Sequence, residues 1–419
     1  MAGRDIKEYI GLSRRVITNK MLTSLSAQGN TISFRHQFKG LLEESIFKWL
    51  FNDGQTPLPH AYTVDTSQTS IYDMAPAATL AIAADWASDT VQSEKIGVLM
   101  AAHSPDYTVH LGDTYYSGSA DEINANFTNN RWPMGSIASF ALLGNHEMYS
   151  GAFPYFDSLL PTFLKQANPF FCLRNDHWCI LGLDTGYQSI LGGPSNTNLL
   201  FQDELMNWLS NTVNLSQEKR GIIVFTHHQY ISAFGDETTF PNPAWQLQSF
   251  FDDNREIIWI WGHEHRFSMY GKYKKPDDPS GLKYATAYGR CIGNGGMPDE
   301  HTAKRQVDPA LAAQYNLVLW DPRVVDNIPS FIFFKIPIGA NGYSLIDINQ
   351  EQLTINYYSS YTNDDSIDPV EQLIVTETWT ADNQTGAITC TGTVDHTIDA
   401  ASGASELAYA SGKTVSDIG

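Results

Sequence analysis

Cysteine is scarce in this chain: 419 residues hold four, Cys172, Cys179, Cys291 and Cys390. Their spacing fits neither a zinc knuckle nor a disulfide framework, which excludes a small cross-linked scaffold. Cys172 and Cys179 flank a turn at Arg174 to His177; they either face each other across a hairpin or sit as separate buried thiols, the commoner case. Positive charge is also short, with 26 Lys and Arg against 46 Asp and Glu and a formal charge of -20. That field repels polyanions, so no large nucleic-acid surface is expected, although a small phosphate ester can still bind at a local positive site. Long apolar runs are missing too. The start, MAGRDIKEYIGLSRR, has no core of signal-peptide length, and no later segment is apolar for long enough to span a membrane. The expectation is a cytoplasmic protein with no membrane partner, or a secreted one if a leader has been trimmed.

What is present is globular material. The composition is 42% hydrophobic and 12% aromatic, enough for one large core or two modest ones, and no tandem repeat interrupts it. Residues 1–75 read as a helical extension, with Phe38, Leu41, Leu42, Ile46, Leu50 and Phe51 at helical spacing before the Asn52-Asp53-Gly54 stop. Residues 76–360 read as the main domain, in which strand and helix alternate from Thr79 to roughly Trp320 and the signal turns antiparallel beyond Phe331. Strand-like runs fall at Thr79 to Ala84, Tyr107 to Leu111, Phe140 to Leu143, Trp178 to Leu183, Ile222 to Phe225 and Ile257 to Trp261. Helices are predicted from Thr90 to His103, through Phe201, Leu205, Trp208 and Leu209, and from Asn242-Pro243 onward. This is an α/β core whose sheet is covered by helices. Tyr343 to Ile348 and Leu353 to Tyr358 form a hairpin, and residues 361–419 read as a tail of edge strands or partial disorder.

The strand ends collect a particular set of side chains. Asp85, Asp113, Asn145, His227 and His263 follow successive runs, and the carboxyl ends of strands are where an open α/β sheet forms its ligand crevice. A lone aspartate after a strand is ordinarily a cap, but five such residues in register are not, because caps would draw on Ser and Thr as well. Carboxylate, amide oxygen and imidazole suit hard or borderline cations, and the ligand count exceeds the needs of one ion. A bridging Asp113 would join two ions about 3.5 Å apart, the spacing of two-metal hydrolytic sites. His263-Glu264-His265 and His146-Glu147-Met148 lack the second histidine of the helical zinc-protease signature, and Gly293-Asn294-Gly295-Gly296 lacks the P-loop lysine.

Asp85, Gly112-Asp113, Gly144-Asn145-His146-Glu147, His227 and Gly262-His263-Glu264-His265, in that order, resemble the motifs of the calcineurin-like metallophosphoesterase superfamily. The resemblance implies an αββα sandwich with a di-metal centre. Three features resemble its purple acid phosphatase branch. Ala87 stands where most members have a metal-binding histidine, HLGDTYYSG places Tyr116 at the phosphatase tyrosine position, and Val224 to His227 fits Val-x-x-His. Carried over, the first site holds Asp85, Asp113, Tyr116 and His265, and the second Asp113, Asn145, His227 and His263. The donors favour iron(III) in the first site and zinc, manganese or iron(II) in the second. His146 is the implied catalytic residue, binding a phosphoryl oxygen or protonating the leaving group, and the implied nucleophile is a metal-bound hydroxide.

The sequence also departs from that branch. Ala84 and Ala87 replace glycines around the first aspartate, and no histidine follows shortly after Val-x-x-His except His228. Tyr149 and Arg290 are weighed as pocket residues against the plainer reading of a surface tyrosine and a solvated arginine. The expected function is hydrolysis of a small phosphate mono- or diester. The alternatives are a cyclic-nucleotide or nucleotide-linked phosphodiesterase, and a catalytically inert metal-binding regulator.

Overall fold

The computed structural model describes residues 59–419 apart from 116, 130, 190–197, 236, 253, 278, 280, 298–305, 330–334 and 361–369. Two sheets carry the architecture. In the nine-stranded sheet the order is Ile71–Asp73, Phe171–Arg174, Trp178–Gly182, Gly221–Thr226, Glu256–Trp261, Thr286–Ile292, Phe267–Tyr273, Leu317–Trp320 and Ala408–Tyr409. The seven-stranded sheet runs Ile388–Asp395, Glu371–Ala381, Gln352–Ser360, Asn341–Asn349, Ala77–Ala83, Tyr107–His110 and Ala138–Ala141. Each sheet has a parallel block: Ala77–Ala83, Tyr107–His110 and Ala138–Ala141 in one, and Trp178–Gly182, Gly221–Thr226, Glu256–Trp261 and Thr286–Ile292 in the other.

Alternation along these strands sorts the core into layers. Leu80, Ile82, Val109 and Phe140 of one sheet pack with Ile180, Ile223, Phe225 and Ile258 of the other, so the inner faces meet. The odd partners in the same strands point outward. Ala81 and Ala83 lie under Ile96, Leu99 and Met100 of the helix Val91–Ala102, whereas Val224, Ile257 and Trp259 lie under Leu205 and Leu247 of the helices Asp203–Trp208 and Asn242–Gln248. The result is the expected αββα sandwich. The helix Val91–Ala102 begins where the sequence placed it, because Thr90 and Ser93 cap each other's backbone N–H groups. Among the described residues no helix is long and apolar enough to cross a bilayer.

Two expectations are corrected here. The segment read as helical through residue 75 contains no helix over 59–75; Ile71–Asp73 is a strand paired with Phe171–Arg174, and its Tyr72 ring packs 4.9 Å from Phe140. The predicted helix over Phe38 to Phe51 lies outside the described residues. At the other end, Glu371–Ala381 lies inside the sheet, paired on both sides, with Trp379 fully buried against the inner core. The hairpin Asn341–Asn349 and Gln352–Ser360 matches expectation and joins the parallel block through Ala77–Ala83. Cys172 and Cys179 do face each other across paired strands as buried thiols, with 3.6 Å between their sulfurs.

Candidate metal centre

The strand-end residues converge because the loops that carry them are tied together by backbone hydrogen bonds. The N–H of Asp85 donates to the Gly112 carbonyl at 3.1 Å, and that of Gly262 donates to the His227 carbonyl at 3.0 Å. Asp85, Asp113 and His263 all adopt left-handed backbone, with φ of 55°, 72° and 65°. For residues with a Cβ that conformation is uncommon, and its recurrence at three candidate ligands marks strained backbone held for a site. Glycine is required beside them. A Cβ on Gly144 would meet Asp113 Oδ1 at 2.1 Å, and one on Gly112 would meet His227 Nδ1 at 2.7 Å.

Two groups of side chains result. In the first, the Tyr115 phenol lies 2.7 Å from Asp85 Oδ1, 2.8 Å from His265 Nε2 and 3.3 Å from Asp113 Oδ2. In the second, His227 Nε2 lies 3.0 Å from Asn145 Oδ1 and 3.3 Å from Asp113 Oδ1. Asp113 therefore points one oxygen at each group. His263 joins the second, with its ring 5.2 Å from that of His227, and its backbone N–H donates to Asp85 Oδ2 at 2.8 Å. Asp85, Asp113, Asn145, His227, His263 and His265 are thus brought together. A phenol is present as well. Tyr115 reaches the first group, and Tyr116 lies outside the described residues.

The donor chemistry fits cations. With Nδ1 of His227 donating to the Leu111 carbonyl at 2.9 Å, Nε2 is left with a lone pair that faces two oxygen acceptors. Acceptors gathered around an acceptor need a positive charge between them. Burial alone would lower His227, but Asp113 outweighs that and raises it to about 9. Burial would likewise raise Asp113, yet His227, His146 and His263 hold its carboxyl well below the usual range. His263 is pushed down to about 3 by burial and the neighbouring imidazolium, and His228 is lowered for the same reasons.

His146 sits at the mouth rather than in the cluster. Its backbone N–H donates to Asp113 Oδ1 at 2.9 Å, and its ring lies 4.4 Å from that of Tyr115. Tyr149 accepts from the Asn145 amide nitrogen at 3.0 Å, which turns the amide oxygen toward His227. Arg290 is neither pocket residue nor solvated; it is fully buried against Glu377.

Sequence reasoning missed two carboxylates. Glu147 accepts from the N–H groups of Gly144 and Asp113 at 2.9 and 3.2 Å, fixing both ligand loops, and burial beside Asp113 raises it to about 7. The capping position of Glu147 in Gly-Asn-His-Glu is the signal that could have revealed it. Asp184 ends the strand Trp178–Gly182 and accepts from Gly186 and Tyr187 N–H at 2.7 and 3.2 Å. Burial lifts it to about 7, only partly offset by those donors.

A carboxyl raised above its unfolded value of about 3.9 stabilises the fold fully below that pH and loses the contribution as pH rises through the folded value. Metal-free protein is therefore expected to lose stability relative to Asp184→Asn between about pH 4 and 7. Thermal melts of both across that range check this, and parallel curves would contradict it.

Residues 79–267 match the family model described as calcineurin-like phosphoesterase. No curated protein matches the chain. Among solved structures, one titled "Structure of PhoD" is 11% identical with a TM-score of 0.46, covering 80% of this chain and 73% of its own. GAP50, the anchor in the inner membrane complex of Plasmodium, is 12% identical with a TM-score of 0.44, covering 71% and 88%. Vps29 of Chaetomium thermophilum is 8% identical with a TM-score of 0.29, covering 74% and 100%.

Proposed function

Residues 79–267 belong to the calcineurin-like phosphoesterase family, and from that premise we propose that this chain hydrolyses a small phosphate mono- or diester at a dinuclear metal centre. The observation that carries the reading is Asp113, whose two oxygens face two separate ligand groups. Asp85, Asp113, Tyr115 and His265 would hold one ion, and Asp113, Asn145, His227 and His263 the other. Such ions supply Lewis acidity toward the phosphoryl group and acidify water.

The remaining work falls to the chain's own residues. Tyr149 fixes the Asn145 amide, Glu147 fixes the Gly144 and Asp113 loops, and His146 presents an imidazole beside Asp113 at the mouth. Its side chain is 18% exposed, so a substrate's leaving oxygen can approach a proton held at Nε2. Phosphate release from a chromogenic monoester, measured beside its bis-ester with metal-loaded protein, tests the activity and separates the two ester classes. Bound metal with no release from either would favour the inert regulator.

The phenol decides the metal. A tyrosinate beside carboxylate and imidazole suits iron(III), and iron(III) bound to a tyrosinate colours a protein. The iron-loaded chain is expected to show a visible band that Tyr115→Phe removes and Tyr116→Phe retains. The reverse pattern would return the ligand to Tyr116, and a colourless protein rich in zinc or manganese would remove it from the purple branch.

A further inference from the structure

We infer that His228 is a ligand of the second ion, making that site a three-imidazole site selective for a borderline divalent cation such as zinc over magnesium or calcium. The inference rests on the dinuclear reading above and extends it to a residue that reading leaves idle.

His227 and His228 are consecutive at the end of the strand Gly221–Thr226, where in continuing strand their side chains would point to opposite faces. The chain turns there instead, and both rings enter one cluster, 4.7 Å apart and nearly perpendicular. The His228 ring also lies 4.5 Å from that of His263, and one candidate ligand nitrogen from each of His227, His228 and His263 falls within 4.8 Å of the other two. Three imidazoles crowded in a buried place offer one another little direct attraction. A shared cation turns that arrangement into an attraction.

The orientation of His228 is fixed. Thr185 Oγ1 accepts the backbone N–H of His228 at 3.0 Å and lies 3.1 Å from its Nδ1. With Nδ1 engaged by the hydroxyl, Nε2 is the nitrogen left for a cation, the usual division of labour in a metal-bound imidazole. Thr185 is itself held, because Asp184 Oδ1 pins the following turn through the N–H groups of Gly186 and Tyr187. A third imidazole shifts the donor set from oxygen toward nitrogen, which moves preference away from hard magnesium or calcium and toward zinc.

The test uses the full chain stripped of metal, titrated calorimetrically with zinc and with magnesium, and read independently by the visible spectrum of bound cobalt(II). Wild type is expected to take two zinc ions. His228→Ala is expected to keep the first and bind the second about 10- to 100-fold more weakly, with an altered cobalt spectrum, and Thr185→Val to weaken it in the same direction. Thr185→Ser, which keeps the hydroxyl, should restore wild-type binding. Circular dichroism melts verify that each variant is folded. Two zinc ions bound by His228→Ala with wild-type affinity and cobalt spectrum overturn the inference while leaving the dinuclear reading standing. A wild-type chain that takes no ion overturns both.

Discussion

Asp113→Ala is expected to yield a folded protein that retains neither ion and turns over phosphoesters at least about 10³-fold more slowly. The size of the effect follows from position. Asp113 Oδ2 faces Tyr115, and Oδ1 faces His227 while accepting the His146 N–H, so a single substitution removes the carboxylate whose two oxygens are divided between the groups. Losing the charge stabilisation that two ions supply to a phosphoryl group costs several kcal/mol, and each 1.4 kcal/mol is about tenfold in rate. The neighbouring imidazoles, His227 foremost, hold the carboxyl well below the usual range, so it is ready to bind a cation. Metal content per chain and turnover are measured on the same preparation. Two ions retained with unchanged turnover would remove Asp113 from the centre and the proposed activity with it.

The parts of this centre that were legible in the sequence lie at the ends of parallel strands. There the fold itself delivers consecutive motifs to one edge, so order along the chain predicts proximity in space. Asp85, Asp113, Asn145, His227 and His263 needed nothing more. That Tyr115 reaches the cluster depends on the path of the backbone after Asp113, which is in the left-handed region at φ 72°. No pattern of residue types encodes that turn. Asp184 was hidden for the opposite reason: its sequence context is that of any capping aspartate, and only burial distinguishes it. Likewise the strand Glu371–Ala381 sits in a stretch rich in Thr and Glu that reads as an exposed edge, until Trp379, Ile374 and Val375 are seen facing the inner core.

Arg290 and Glu377 show what sequence could not offer, a pair 87 residues apart that joins the two sheets. Arg290 lies in Thr286–Ile292 and Glu377 in Glu371–Ala381, and both side chains are fully buried. The guanidinium meets the carboxylate in a two-pronged pair, Nε to Oε1 at 2.9 Å and Nη2 to Oε2 at 2.7 Å. Its other N–H groups go to the carbonyls of Tyr270, Gly289 and Ile418, so all five donors are used, and the last ties the C-terminal turn Val415–Ile418 to the core. Tyr357 donates to Glu377 Oε1 at 2.6 Å. Such a pair contributes little net stability compared with apolar residues of the same shape, because desolvation offsets attraction, but breaking it strands a buried charge. Arg290→Met alone is therefore expected to cost about 3–5 kcal/mol in urea unfolding, and Glu377→Leu alone a similar amount. The double substitution should cost well below the sum, since no charge is left unpaired. Additive losses would mean that the two groups act separately, and a loss under about 1 kcal/mol for Arg290→Met would mean that water reaches the carboxylate and the sheets part there.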